Sequence, residues 1–159
     1  MTASYVIKNF ETPVLILASS DDAELECLSA RLTHFNEAAR TATYVWNIKG
    51  HKGSQKRIRS FDLRQGKELN QVDFKEKDGP SGTVTVPYSD MKNCFIGTFP
   101  TVLYGGQCMM WVRKEVEDNV PQNCIDEFED ICDVEVSEYN HDLCQDNDDE
   151  HEESRQGAP

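Results

Sequence analysis

Short runs of alternating polar and apolar side chains, broken by turn residues, dominate the stretch from Glu24 to Tyr88. A period of two is the mark of β-strands and not of helices. Ala42, Tyr44, Trp46 and Ile48 make one face of such a run, with Thr41, Thr43, Val45 and Asn47 on the other. Lys49 to Ser54 then reads as a hairpin loop, after which Arg57, Arg59, Phe61 and Leu63 alternate with Ile58, Ser60 and Asp62. Further strands are expected from Thr12 to Ala18, Leu25 to Phe35, Leu69 to Lys75, Gly82 to Tyr88, Asn93 to Thr98 and Tyr104 to Lys114. The breakers between them are Gln65-Gly66, Asp78 to Gly82 and Gly105-Gly106. Many short strands at hairpin spacing define an all-β sandwich or an up-and-down barrel. Eight strands closed on themselves leave an interior just wide enough for one small ligand.

The period changes near the end of the chain. Cys124, Ile125, Phe128, Ile131 and Cys132 recur at helical spacing after Pro121, with acids on the opposite face, which predicts an amphipathic helix following the last strand. At 159 residues the chain fits one core. Its six cysteines, Cys27, Cys94, Cys108, Cys124, Cys132 and Cys144, include no C-x-x-C pair and no histidine at zinc-ligand distance. Disulfides are expected, and no metal or cofactor. Disulfides persist in oxidising compartments, so the mature protein is expected to be extracellular. Met1-Thr2-Ala3-Ser4 lacks the basic start and apolar run of a signal peptide, and Met1 reads as an added start residue. The longest apolar run, Val14 to Ala18, falls far short of the roughly 20 residues that cross a bilayer.

A formal charge of −13 argues against nucleic acid or an anionic membrane as partner. Much of that charge sits in residues 145–159, which carry six acids and no large apolar side chain and read as a disordered acidic tail behind a domain spanning 1–144. The opposite bias runs from Lys49 to Lys67, where seven basic residues face only Asp62. That segment reads as the solvated face of a hairpin or, more sharply, as a basic rim that attracts an anionic ligand or glycosaminoglycan.

Asp90 to Cys94, Cys108-Met109-Met110-Trp111, Val120 to Cys124 with Phe128, and Tyr139 to Cys144 together resemble the salivary lipocalins of ticks, the group that includes the histamine-binding proteins. Met109 to Arg113, Glu117-Asp118 and the opening Thr12 to Ala18 look most like its Japanin-like branch. The Gly-x-Trp common to lipocalins on their first strand is missing. The resemblance implies an eight-stranded antiparallel barrel with the helix packed outside, and disulfides Cys27 to Cys144, Cys94 to Cys124 and Cys108 to Cys132. If Cys94 and Cys108 point outward to reach that helix, alternation turns Phe95, Gly97, Met109, Trp111 and Arg113 inward.

Amine-binding members of that group carry Cys-Asp and Glu-Leu-Trp, whose two carboxylates hold an ammonium. Here those positions read Cys94-Phe95 and Met109-Met110-Trp111. A buried ammonium without a carboxylate is costly, so an apolar ligand is expected instead: a sterol, fatty acid or eicosanoid. Tyr44, Trp46, Phe95, Met109, Trp111 and Arg113 are the expected ligand contacts, with Arg113 either clamping a carboxylate or solvated at the mouth. The indole N–H of Trp111 needs a partner inside. Of Tyr44, Trp46 and, near strand ends, Tyr88 and Tyr104, half are expected to line the cavity and half to pack. The resemblance implies a secreted scavenger that modulates host immunity at the tick bite. The alternatives are an immunomodulator that binds a host protein through its outer surface, with any lipid structural, and a histamine or serotonin scavenger. His34, His51, His141 and His151 stand apart from any nucleophile pattern, so no enzyme activity is expected.

Overall fold

In a computed structural model, residues 2–49 and 56–136 are described. A short helix, α1 (Ala3–Lys8), precedes eight strands: β1 (Pro13–Ala18), β2 (Ser29–Asn36), β3 (Thr41–Ile48), β4 (Arg57–Gln65), β5 (Gln71–Glu76), β6 (Ser81–Ser89), β7 (Cys94–Phe99) and β8 (Gln107–Arg113). A second helix, α2 (Gln122–Cys132), follows. Each strand pairs antiparallel with the next and β8 pairs with β1, so the sheet closes into a barrel without an open edge.

Alternation explains what each strand buries. On β3, Ala42, Tyr44, Trp46 and Ile48 are buried, as their shared face predicts, while their neighbours are partly or fully exposed. β8 is apolar on both faces because both are covered. Met109 and Trp111 belong to the barrel interior, while Met110 and Val112 pack with Cys124 and Phe128 beneath α2. Cys94–Cys124 and Cys108–Cys132 join β7 and β8 to that helix, with Cα separations of 6.2 and 5.7 Å. Cys27 is also disulfide-bonded; its expected partner Cys144 and the acidic tail lie outside the described residues.

The structure departs from the alternation at three shifts of register, one of them in β2 between Leu32 and His34, after which both Leu32 and Phe35 pack against the interior. Between Leu15 and Leu17 on β1 an extra residue is inserted, so Leu15 faces the interior and Leu17 packs under α2. A shift between Thr85 and Tyr88 on β6 likewise leaves Val84 and Val86 inside and turns Tyr88 to the helix side, where its hydroxyl accepts from the Asn123 amide at 3.0 Å. The strand expected from Leu25 begins only at Ser29, because Ala23–Leu25 forms a 3₁₀ turn and Cys27 adopts φ 58°. The strand expected from Tyr104 begins at Gln107, since Tyr104, Gly105 and Gly106 all have positive φ.

Helix α1 was not among the expected elements. It seals one end of the barrel with Ala3, Val6 and Ile7, followed by Phe10, all buried. The Tyr44 hydroxyl donates to the Phe10 carbonyl at 2.6 Å and to that of Ile7 at 3.4 Å, and the Ala3 N–H donates to the Leu69 carbonyl at 2.8 Å. These bonds satisfy backbone groups that a buried helix end otherwise leaves orphaned.

Candidate ligand cavity

Inside the barrel a cavity of about 70 Å³ lies among side chains from α1, all eight strands and the β7–β8 connection. Its wall is built from aromatic rings. Trp46 is central, with ring centres 4.8 Å from Phe61, 5.4 Å from Trp111 and 6.1 Å from Phe99. Phe95 stacks on Trp111 at 6.3 Å, and Phe74 meets Phe61 edge-on at 5.9 Å. Gly97 makes this packing possible, since a Cβ there would stand 3.0 Å from the Phe99 ring and 3.3 Å from Val84. No Asp, Glu, Lys or Arg lines the cavity among the described residues.

Four of the expected contacts, Tyr44, Trp46, Phe95 and Trp111, converge on this wall. Met109 is fully buried in the same interior cluster but stands outside the cavity lining. Arg113 does not line the cavity either: it is half exposed, donates through Nε to Asn93 Oδ1 at 2.9 Å and lies 3.9 Å from Glu115. β8 ends at Arg113, so the inward register has nothing left to carry it. Lining residues that the sequence reading left out include Ala3, Val6 and Ile7 from α1, Phe74 on β5, and Leu103 from the β7–β8 connection. Alternation with Phe61 and Leu63 was the available signal on β4, whereas Ala3, Val6 and Ile7 in the six-residue α1 are too few to mark a helical period.

Two polar groups sit in this apolar interior. Burial pushes the Tyr44 phenol far above its ordinary pKa, and its proton is committed to backbone carbonyls. The Trp111 indole Nε1 is buried and has no hydrogen-bond partner among the described residues. The partner its N–H requires is therefore not supplied by the described protein.

At the end opposite α1 the wall gives way to charge. Arg59 donates through Nε and Nη2 to the two oxygens of Glu76 at 2.9 and 2.7 Å, and through Nη1 to the Tyr104 hydroxyl at 3.1 Å. Arg57 pairs with Glu24. Arg59 holds the Glu76 carboxyl below its usual pKa, and Arg57 does the same to Glu24. The basic run is therefore not a uniform rim, because its two central arginines are neutralised; Arg64, more exposed, lies 3.9 Å from Asp73.

Asp90 lies near the Cys94–Cys124 disulfide. Burial works to raise its pKa, but N–H groups of Asn93, Lys92 and Cys94 and the Asn123 amide outweigh that and lower it. Its oxygens cap a turn, and the two sulfurs beside it are bonded to each other, so this cluster is no metal site.

A closed antiparallel barrel with an apolar interior and a helix pinned outside is the architecture of the lipocalin class of small-molecule carriers. The sequence model of the tick histamine binding protein family matches residues 3–146, and the chain belongs to that family. Its fold resembles a solved AM182–serotonin complex, at 15% identity over 80% of this chain and 82% of that one, with a TM-score of 0.60. It resembles equally Japanin from Rhipicephalus appendiculatus bound to cholesterol, at 17% identity over 83% and 91% of the two chains, also with a TM-score of 0.60. The siderocalin Ex-FABP matches at 13% identity over 79% and 85%, with a TM-score of 0.55. Family and fold are those of ligand-binding carriers and not of enzymes.

Proposed function

We propose that this protein is secreted and sequesters a small apolar molecule inside its barrel, and that removal of this molecule modulates host immunity at the bite. Tyr44, Trp46, Phe95 and Trp111 are the contacts on this reading, with Met109 shaping the wall from behind. The observation that carries it is the cavity wall, aromatic and aliphatic throughout and without a carboxylate among the described residues. An ammonium placed there would lose its hydration and meet no counter-charge, which disfavours histamine or serotonin at this position. The unpartnered Trp111 N–H favours an apolar ligand that carries an oxygen acceptor.

The cavity is small for such a role. At about 70 Å³ it lies well below the roughly 300 Å³ at which pockets for drug-sized molecules begin. A slender or two-ring molecule requires modest rearrangement, whereas a sterol requires Leu103 or the α1 side chains to move aside. Native mass spectrometry of protein secreted by eukaryotic cells, followed by organic extraction, tests this reading. A stoichiometric neutral lipid is the expected result. A bare protein that takes up no added lipid, yet binds histamine or serotonin below micromolar concentration by calorimetry, would sink it.

A further inference from the structure

The charged groups at the end opposite α1 form two neutral pairs, and one of them stands directly above the cavity wall. Arg59 lies two residues before Phe61 on β4 and faces Trp46 across the β3–β4 ladder. Phe61 and Trp46 both line the cavity. The guanidinium is 5.2 Å from the Phe61 ring centre and 5.4 Å from that of Tyr104. Tyr104 follows Leu103, which reaches into the cavity from the β7–β8 connection. Arg59 and Glu76 are therefore the charged pair nearest the apolar wall, and their side chains are only 12% and 16% exposed.

Two features of this pair bear on what can bind beneath it. A guanidinium has five N–H donors. Three are used here, two on Glu76 and one on Tyr104, and the others have no partner among the described residues. Both oxygens of Glu76 accept from Arg59, so the pair still offers free donors while its opposite charges are balanced against each other.

On the reading of the barrel as a ligand cavity, we infer that Arg59 and Glu76 form a head-group filter at its mouth. The filter accepts an apolar molecule ending in a neutral oxygen acceptor, an alcohol or a carbonyl, and turns away carboxylates and ammonium ions. A neutral oxygen takes a remaining N–H of Arg59 and brings no charge to desolvate. A carboxylate meets an arginine whose charge Glu76 already balances, and stands close to a second negative group in a poorly hydrated place. An ammonium meets the arginine's positive charge and finds the nearby carboxylates, Glu76 and Glu24, already paired with Arg59 and Arg57. Deeper in the barrel the Trp111 N–H is again a donor, so both polar features suit an acceptor on the ligand.

Three probes with one ring system and different heads test the filter: naphthalenemethanol, naphthoate and naphthylmethylammonium. Their affinities are measured at neutral pH by fluorescence titration on the wild-type protein, Glu76→Gln and Arg59→Gln, with folding checked by circular dichroism. Wild type is expected to bind the alcohol about tenfold or more tighter than either ion, because an ion enters without a counter-charge. Glu76→Gln leaves Arg59 uncompensated and is expected to strengthen naphthoate about tenfold, while Arg59→Gln does the same for the ammonium probe. Either variant decides the matter if the other fails to fold. A wild-type protein that binds all three alike, or folded variants that leave the order unchanged, would overturn the filter while leaving the cavity reading intact. If none of the probes binds any of the proteins, the cavity reading itself fails and the filter falls with it.

Discussion

The two ends of the barrel are closed by opposite means. At one, α1 inserts Ala3, Val6 and Ile7, Phe10 follows them, and Tyr44 anchors the segment by hydrogen bonds to backbone carbonyls. At the other, Arg59, Glu76, Arg57, Glu24 and Tyr104 meet across separate connections. Apolar packing is non-directional and is lost only when the whole face is exposed to water. Of the two ion pairs, Arg57–Glu24 is partly exposed and gives up little when water replaces it, while Arg59–Glu76 is mostly buried. On the proposed ligand reading, the difference makes the α1 end a structural floor and the charged end the side from which a molecule reaches the cavity.

The comparison breaks most visibly at the floor. Val6→Asp places a carboxylate in a fully apolar setting and is expected to cost about 3 kcal/mol or more, measured by urea unfolding. A smaller loss would mean that α1 is not packed as described. Tyr44→Phe keeps the ring but strips the Phe10 carbonyl of its donor, the Ile7 carbonyl keeping the Phe10 N–H, with an expected loss of about 1–2 kcal/mol. Hydrogen exchange should rise over residues 3–10 in this variant and stay unchanged at Tyr104.

At the mouth the expected effect is smaller and depends on pH. Arg59 lowers the Glu76 pKa from 4.5 in the folded state. A depressed carboxylate pKa contributes stability that is present above the unfolded value and lost as pH falls through the folded one. Wild-type stability should therefore drop by about 1 kcal/mol more than that of Glu76→Gln as pH falls below 4.5. Parallel acid profiles would show that the pair contributes nothing. Deleting residues 145–159 is expected to leave both ends and the affinity for naphthalenemethanol unchanged.

Much of this arrangement could be read from residue order. The alternation on β3 placed Tyr44 and Trp46 on one buried face, and the cysteine positions on β7 and β8 separated the inward Phe95 and Trp111 from Ile96, Met110 and Val112 under α2. What escaped has physical reasons. A one-residue insertion in β1 and a register shift in β6 exchange faces midway along a strand, so Leu17 and Tyr88 lie opposite to where a strict period of two puts them. Helix α1 is six residues long, too short for a helical period to stand out in sequence, and its stability comes from packing against the barrel. Arg59 and Glu76 are far apart in sequence but sit on neighbouring strands, β4 and β5, whose shared end brings them together. The basic run around Arg59 suggested a positive rim because its acidic partners come from elsewhere in the chain.

The most direct test of the ligand cavity is the indole region of the proton–nitrogen correlation spectrum, recorded on the free protein and with naphthalenemethanol. The chain has two tryptophans, Trp46 and Trp111, and Trp111→Phe assigns their signals. The Nε1–H of Trp111 has no partner among the described residues. It should therefore move downfield as the alcohol oxygen accepts it, with Trp46 responding through ring currents alone. A saturating ligand that leaves the Trp111 resonance where it was would contradict the account, because the molecule would then be binding somewhere other than this cavity.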